Sequence, residues 1–406
     1  MQYVGIDLND RSAMISFYTS GMSEPATISM VTGSEMYQIP LCVTKKKHVG
    51  QWFCGEEARR IARNEQMPCV DGLLKKSLGE ESVEIEGQVY QARDLLFLFL
   101  KKLLGLARQG SGSGLPDYLV FTSENMNHHM RGLFKQFADR FGYPGSHLLL
   151  LDYRESFYYY AYSQPEELCR HEVALYYYTS KNLLFWQLHA DKKTRPQVVT
   201  LKEQAFDAMP TDRDEEFAGL AAATLYGSTC SAVYLIGDGF DGDWMKQSLN
   251  VVCRGRRAFM GKNLFSKGAC YAAAVREESA AWQYVYLGEN EIRRNVSIQV
   301  EKDGSMQFYT LIEAGENWYE AGRECEVILY GEPVINFWIR HPRSQEAAVK
   351  TLELSDLPRR QSGTTRLRIA AHPQSVDKIL LTIRDMGFGE IVKSSDKQWE
   401  YLIDLA

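Results

Sequence analysis

Through residues 1–53 the chain alternates apolar and polar positions in short bursts, broken by Gly, Ser, Asn and Lys. That period of two predicts hairpins, with strands at 3–8, 13–18, 26–31, 37–43 and 48–53. The first runs Tyr3-Val4-Gly5-Ile6-Asp7-Leu8, turns at Asn9-Asp10-Arg11 and returns through Ala13-Met14-Ile15-Ser16-Phe17. Lys45-Lys46-Lys47-His48 reads as a solvated hairpin turn. The spacing then lengthens to that of amphipathic helices at 56–64, 92–108, 127–141 and 155–163. Between them lie apolar runs of buried-strand type at 118–121 and 148–151, and Gly110-Ser111-Gly112-Ser113-Gly114 reads as a flexible connection.

A second set follows. Strands are expected at 173–178 and 183–189, a helix at 213–226, an apolar strand at 232–236, and helices near 244–248 and 263–275. Alternation of strand and helix in two successive sets predicts an α/β domain over 1–278, with related lobes at about 1–168 and 172–278. From about Trp282 strands dominate, at 281–287, 295–301, 307–312, 324–329, 334–339, 366–369 and 378–384, with Asp303-Gly304 as a hairpin turn. Residues 282–406 are therefore expected to form an all-β, sandwich-like domain.

Composition narrows the function classes. The chain has 406 residues, 45% hydrophobic and 24% charged, which is the makeup of a soluble globular protein with room for more than one core. A net charge of −6 argues against a nucleic-acid partner. The most apolar stretch, 95–107, is too short for a membrane span and is broken by Lys101-Lys102. The eight Cys are scattered without a CxxC pair, which favours buried free thiols over a metal site. His128-His129 reads as a helix start, Arg254-Gly255-Arg256-Arg257 as a solvated turn, and Asp238, Asp241 and Asp243 lack EF-hand spacing. With no charged-then-apolar leader before the first strand, a cytoplasmic protein is expected.

The first hairpin resembles the first motif of the actin and DnaK-type heat-shock chaperone (Hsp70-like) superfamily, an ATPase fold. Further fragments follow in family order. Phe53-Cys54-Gly55-Glu56-Glu57-Ala58-Arg59 is similar to the family's Gly-x-x-Ala-Lys segment, and Lys75-Lys76-Ser77-Leu78-Gly79 to its Lys-Arg-Leu-Ile-Gly stretch. Glu155 falls at the family's Glu-Pro-Thr-Ala-Ala-Ala helix start, residues 233–241 (VYLIGDGFD) resemble its adenosine-cradling strand and turn, and Lys267 to Ala274 its Gly-Ala-Ala helix. The resemblance spans much of 1–278 and implies a two-lobed actin-like fold. Its nucleotide cleft would hold Asp7, Arg11, Arg59, Glu155, Gly237 and Gly239. More loosely, 295–312 and the strands after it resemble the chaperones' substrate-binding β-sandwich.

Departures from the family set the expected function. Asn9-Asp10-Arg11 stands where a Gly-Thr-Thr phosphate turn is expected, and a carboxylate there repels polyphosphate. Arg59 replaces the catalytic Lys. The second phosphate motif is replaced by Tyr177-Tyr178-Thr179-Ser180-Lys181-Asn182-Leu183-Leu184, without its carboxylates or glycines. Phe157-Tyr158-Tyr159-Tyr160 stands in for a run of alanines and could fill part of the cleft, and the interval before the helix at 213 is too short for the adenine-clamping subdomain. The resemblance thus implies a degenerate ATPase domain with no catalytic residues, no metal and no cofactor, in a chaperone-like binding or scaffold protein for a peptide or protein partner. Arg11 or Arg59 is expected to pair with Asp7 or Glu155 in place of ligand charge. In the β-domain Trp318 and Tyr319 are the expected partner-binding residues, with Phe308 and Phe337 in the core. Two alternatives stay open: a working ATPase using ATP and Mg on the same residues, and an actin-like polymer-forming factor. A plainer reading of the residues also stands, with Asp7 capping the turn, Glu155 as a helix-start carboxylate and the glycines as turn formers.

Overall fold

The computed structural model describes residues 1–30, 34–46, 50–111, 115–209, 211–344 and 346–405. Val31, the Lys47-His48 half of the basic turn, the head of the strand expected at 48–53, Gly112-Ser113-Gly114 and Ala406 lie outside the described residues. The chain divides into two compact units, Met1–Leu188 with Lys202–Trp282, and His189–Leu201 with Gln283–Ala406.

The first unit opens with strands β1 (Gln2–Leu8), β2 (Ser12–Thr19), β3 (Ala26–Thr27), β4 (Ile39–Pro40), β5 (Val43–Lys45) and β6 (Trp52–Cys54). Helices α1 (Gly55–Asn64) and α2 (Leu73–Leu78), the hairpin β7 (Ser82–Ile85) and β8 (Gln88–Gln91), and α3 (Ala92–Ser111) follow. Then come β9 (Tyr118–Ser123), α4 (His128–Arg140), β10 (Leu148–Asp152) and α5 (Tyr153–Tyr162). The first sheet has the order β10-β9-β1-β2-β3, with β4 also on β2. β1 is antiparallel to β2 and parallel to β9, which is parallel to β10.

Local sequence explains how these helices begin. Asn127 accepts a hydrogen bond from the Met130 N–H at the head of α4 (3.0 Å), and Asp152 accepts from the Glu155 N–H at the head of α5 (2.8 Å). One face of the sheet is covered by α3 and α4, whose Leu96, Phe99, Leu100, Phe134 and Phe137 are buried against Val4, Ile6, Ile15 and Phe121. The rings of Phe121 and Phe134 stack 4.3 Å apart.

After α6 (Glu166–Cys169) the pattern repeats in β11 (Glu172–Tyr178), β12 (Asn182–Asp191) and β13 (Gln197–Asp207). The set is completed by α7 (Arg213–Thr224), β14 (Cys230–Ile236), α8 (Gln247–Val252), β15 (Arg257–Gly261) and α9 (Leu264–Glu277). Its strand order, β15-β14-β11-β12-β13, matches that of β10-β9-β1-β2-β3 position for position. Directions agree where both are given: β11 is antiparallel to β12 and parallel to β14, and β14 is parallel to β15. Between β12 and α7 the described residues carry β13 as the one regular element.

Helix α9 returns to the first sheet, where Ala269, Ala272 and Ala273 pack on Tyr3, Val120, Leu149 and Leu151. The approach is close because two glycines permit it. A Cβ on Gly5 would lie 2.2 Å from the Ser266 carbonyl oxygen, and one on Gly268 would lie 2.0 Å from that of Ser156 in α5.

The second unit takes in the end of β12 and the head of β13, where Gln197 to Val199 pair parallel with β16 (Tyr284–Tyr286). Strands β17 (Asn295–Lys302), β18 (Ser305–Ile312), β19 (Arg323–Leu329), β20 (Val334–Arg340), β21 (Ala347–Glu353), β22 (Thr365–Ser375), β23 (Lys378–Gly387) and β24 (Gln398–Asp404) follow. They form two four-stranded sheets, β18-β17-β20-β21 and β19-β22-β23-β24. Ile298, Leu311, Phe337, Ile369, Leu381 and Ile383 share one apolar core. Asp303 and Gly304 turn the β17–β18 hairpin with positive φ at both positions (54° and 76°), as a two-residue turn of this hand requires.

Several elements differ from the sequence reading. The turn expected at 254–257 ends in β15, and α2, β7, β8, β13 and β21 were not among the expected elements. Phe337 is fully buried as expected, whereas Phe308 is 44% exposed, because β18 is an edge strand and Phe308 lies on its outer face.

Candidate functional site

The two equivalent hairpin turns, between β1 and β2 and between β11 and β12, both open onto one cleft of about 680 Å³. Its lining includes Asp7, Arg11, Arg59, Tyr177, Gly237 and Phe265. Glu155 and Gly239 do not line it; Glu155 is buried on α5.

Each turn closes on itself. The Asn9 side-chain oxygen accepts from the N–H groups of Arg11 and Ser12, both at 2.9 Å. In the second turn the Thr179 hydroxyl accepts from the N–H groups of Lys181 (3.2 Å) and Asn182 (3.3 Å), and donates to the Asn182 side chain (2.8 Å). Two backbone donors of each turn are thus spent on the turn's own first residue. Asp10 is also committed, accepting from the Lys75 N–H in the first turn of α2 (2.9 Å).

Asp7, at the floor, is 1% exposed and accepts from the Tyr153 hydroxyl at 2.5 Å. Burial pushes its carboxyl up to about 7, with the Tyr153 hydrogen bond pulling the other way. The Tyr153 ring stacks on Phe265 at 3.9 Å and meets Tyr177 edge-on at 5.7 Å. The aromatic filling of the cleft therefore comes from Tyr153, Tyr177 and Phe265. Phe157 and Tyr158 are instead buried, and Tyr160 packs on Tyr234 (5.4 Å).

The pairing expected of the arginines is corrected by the geometry. Asp7 takes a tyrosine, and Arg59 reaches Asp71 at 3.9 Å. A hydroxyl tucked under a ring can accompany the carboxyl into the interior, where a guanidinium would lose its water.

The glycines at 237 and 239 answer to packing. A Cβ on Gly237, at φ +108°, would lie 2.3 Å from the Tyr178 carbonyl oxygen, and one on Gly239 would lie 2.4 Å from the Tyr178 ring. Asp238 bridges to the other half of the unit, accepting from Gln38 and from Lys262, each at 3.1 Å. Burial raises its pKa, but these two bonds and the Arg11 charge outweigh that and hold it below the usual range.

Asp7 is buried and already accepts the Tyr153 hydroxyl, and two amides of each turn are taken by that turn's own first residue. In the second unit, Trp318 is half-buried against the apolar core and its backbone N–H donates to the Asn290 carbonyl (3.0 Å), with the Tyr319 ring 5.8 Å away. Phe308, which the sequence places in the core, and Tyr309 are exposed aromatics on β18, at 44% and 39%. No helix among the described residues is long and apolar enough to cross a membrane, and all eight cysteines are free.

No curated protein matches the chain. Residues 291–405 match a domain of unknown function, DUF8552, and residues 24–289 match the C-terminal part of a family of unknown function, DUF5716. By that match over most of its length, the chain belongs to the DUF5716 family.

Proposed function

We propose that the chain is a non-catalytic, chaperone-like binding or scaffold protein, in which an actin-like ATPase fold has given up nucleotide chemistry and the β unit holds a peptide or protein partner. The observation that carries this reading is the closure of both hairpin turns by Asn9 and Thr179. In the fold it resembles, those turns hold phosphates. The matched strand orders of the two sheets support the likeness, and the free thiols suit a reducing cytoplasmic setting.

The choice of partner surface rests on β18, an edge strand whose Met306 (61% exposed) and Phe308 project with Trp338 from the face opposite Ile298 and Phe337. Phe308 and Trp338 contact each other at 5.3 Å, and Val349 pairs beside Trp338. An extended segment added to β18 would take backbone hydrogen bonds from the edge and side-chain selectivity from this row.

Calorimetric titration of the full-length protein with Mg-ATP and Mg-ADP tests the first half, with no saturable heat up to about 1 mM expected. Metal-dependent binding with phosphate release that Asp7→Ala abolishes would instead establish the ATPase reading. For the second half, full-length wild type, Phe308→Ala and Trp318→Ala are compared on an array of extended peptides. Phe308→Ala is expected to weaken capture by about tenfold or more and Trp318→Ala to act less. Equal capture by all three removes β18 from the interface.

A further inference from the structure

Away from the cleft floor, two cysteines distant in sequence are brought together by a β-bridge. Val43 and Val70 exchange both backbone hydrogen bonds, at 3.1 and 2.8 Å. The residues before each, Cys42 and Cys69, consequently share the opposite face of the bridge. Their sulfurs and an Asp71 carboxylate oxygen all lie within 4.8 Å of one another. Cys42 is fully buried, Cys69 is partly open to solvent, and the Cys42 thiol also donates to the Gly55 carbonyl at 3.4 Å. Asp71 is engaged by Arg59 (3.9 Å), so the cluster is a thiol pair with a charged neighbour rather than a three-ligand metal cradle.

We propose that Cys42 and Cys69 are a redox-active pair that a hydroperoxide converts to a disulfide, with Cys69 as the attacking sulfur and Cys42 as the resolving thiol. Cys69 is the more reachable sulfur of the two, and the direction of its pKa shift favours the thiolate that attack requires. Its pKa is lowered chiefly by the neighbouring Cys42 thiol, whose single proton turns from the Gly55 carbonyl to the Cys69 sulfur when that sulfur ionises, with the Arg59 charge adding to this against burial and Asp71, while that of Cys42 is raised. In the first step the Cys69 thiolate attacks a peroxide oxygen. An S–O bond forms, the O–O bond breaks, and the departing alkoxide or hydroxide takes up a proton. Sulfur is oxidised to sulfenic acid and the peroxide is reduced to alcohol or water. In the second step the Cys42 sulfur displaces that oxygen. The S–S bond forms, the S–O bond breaks, and the Cys42 proton leaves with the hydroxyl as water. Two thiols and one hydroperoxide thus give one disulfide, one alcohol and one water.

Oxidation would also reach the cleft. The Cys42 thiol is bonded to Gly55, the first residue of α1, and α1 presents Glu56 and Arg59 to the cleft. Forming the disulfide takes that thiol away from Gly55.

The test treats reduced full-length protein with dilute hydrogen peroxide at pH 7 and follows it by mass spectrometry, with the exposed Cys253 as internal reference. The expected product has lost two hydrogens and yields a cross-linked peptide joining Cys42 to Cys69. Cys69 is expected to react about tenfold or more faster than Cys253. Cys42→Ser should trap sulfenic acid at Cys69, captured by dimedone, and Cys69→Ser should leave Cys42 reduced. Oxidation of Cys253 first, or a wild-type chain in which Cys42 and Cys69 stay reduced while Cys253 is consumed, overturns the proposal even if neither variant folds.

Discussion

The Tyr153 hydroxyl donates to Asp7 across 146 residues of sequence, at 2.5 Å and out of contact with solvent. A tyrosine from the head of α5 thereby occupies the functional end of a carboxyl on β1. The bond makes the floor of the cleft part of the core, and its energetics can be measured.

Folding raises the pKa of Asp7 from the ordinary 3.8 to about 7. A raised pKa means that the stability linked to this group is complete below about pH 4 and is lost as pH climbs through about 7. Asp7→Asn keeps an oxygen for Tyr153 and removes the charge. At pH 8 the variant should be more stable than wild type by about 2–4 kcal/mol, the gap closing towards pH 4. Urea unfolding across that range measures it, and a gap independent of pH would sink the assignment.

Tyr153→Phe keeps the stack on Phe265 and removes only the donor. It should cost about 1–3 kcal/mol at pH 8, where the ionised carboxyl is left without a partner, and less at pH 5. Equal losses at both values would mean that the hydroxyl acts through packing alone.

Gly268 lies inside α9, where alanine would ordinarily favour the helix by about 1 kcal/mol. Here the added Cβ would meet the Ser156 carbonyl oxygen at 2.0 Å. Gly268→Ala should therefore destabilise by about 2–3 kcal/mol as α5 and α9 are forced apart. A melting temperature at or above that of wild type would contradict the close crossing.

Asp385 is fully buried, accepts two bonds from Arg360 (both 2.7 Å), and takes others from Ser395 and Gly387. Burial alone would raise its pKa, but these donors, Arg360 first, hold it well below the usual carboxylate range. A depressed pKa contributes stability that is present above about pH 4 and is lost as pH falls towards the folded value. Asp385→Ala should cost about 3–5 kcal/mol at pH 7, because Arg360 is left facing an apolar gap. Adding Arg360→Met should recover part of it, which a double-mutant cycle reads directly.

How far the sequence carries depends on where the information lies. β1, β9, β10, β11 and β14 declare themselves through apolar runs, because both faces of these strands are covered. β8, β15 and β21 are mostly exposed, so no hydrophobic alternation marks them, and pairing to a neighbour is what makes them strands; β7 alternates, but over four residues only. The cleft residues Asp7, Arg11, Arg59 and Gly237 were legible as members of motifs. Their partners were not, since the bond to Tyr153 and the seat of Tyr178 on Gly237 are made between distant segments. The loop signal before Trp318 makes it an interface candidate in the sequence, and its packing against the core is a tertiary fact.

The position of α9 carries a consequence for synthesis. The face of the first sheet formed by Tyr3, Val120, Leu149 and Leu151 is covered by the alanines of a helix that begins at Leu264. On the ribosome, that apolar face is complete more than a hundred residues before its lid emerges. The nascent chain must therefore hold an unfinished, adhesive surface through the whole of the second α/β set. Chains stopped ahead of α9 should be captured by cellular holdases or aggregate, and those released just beyond it should fold.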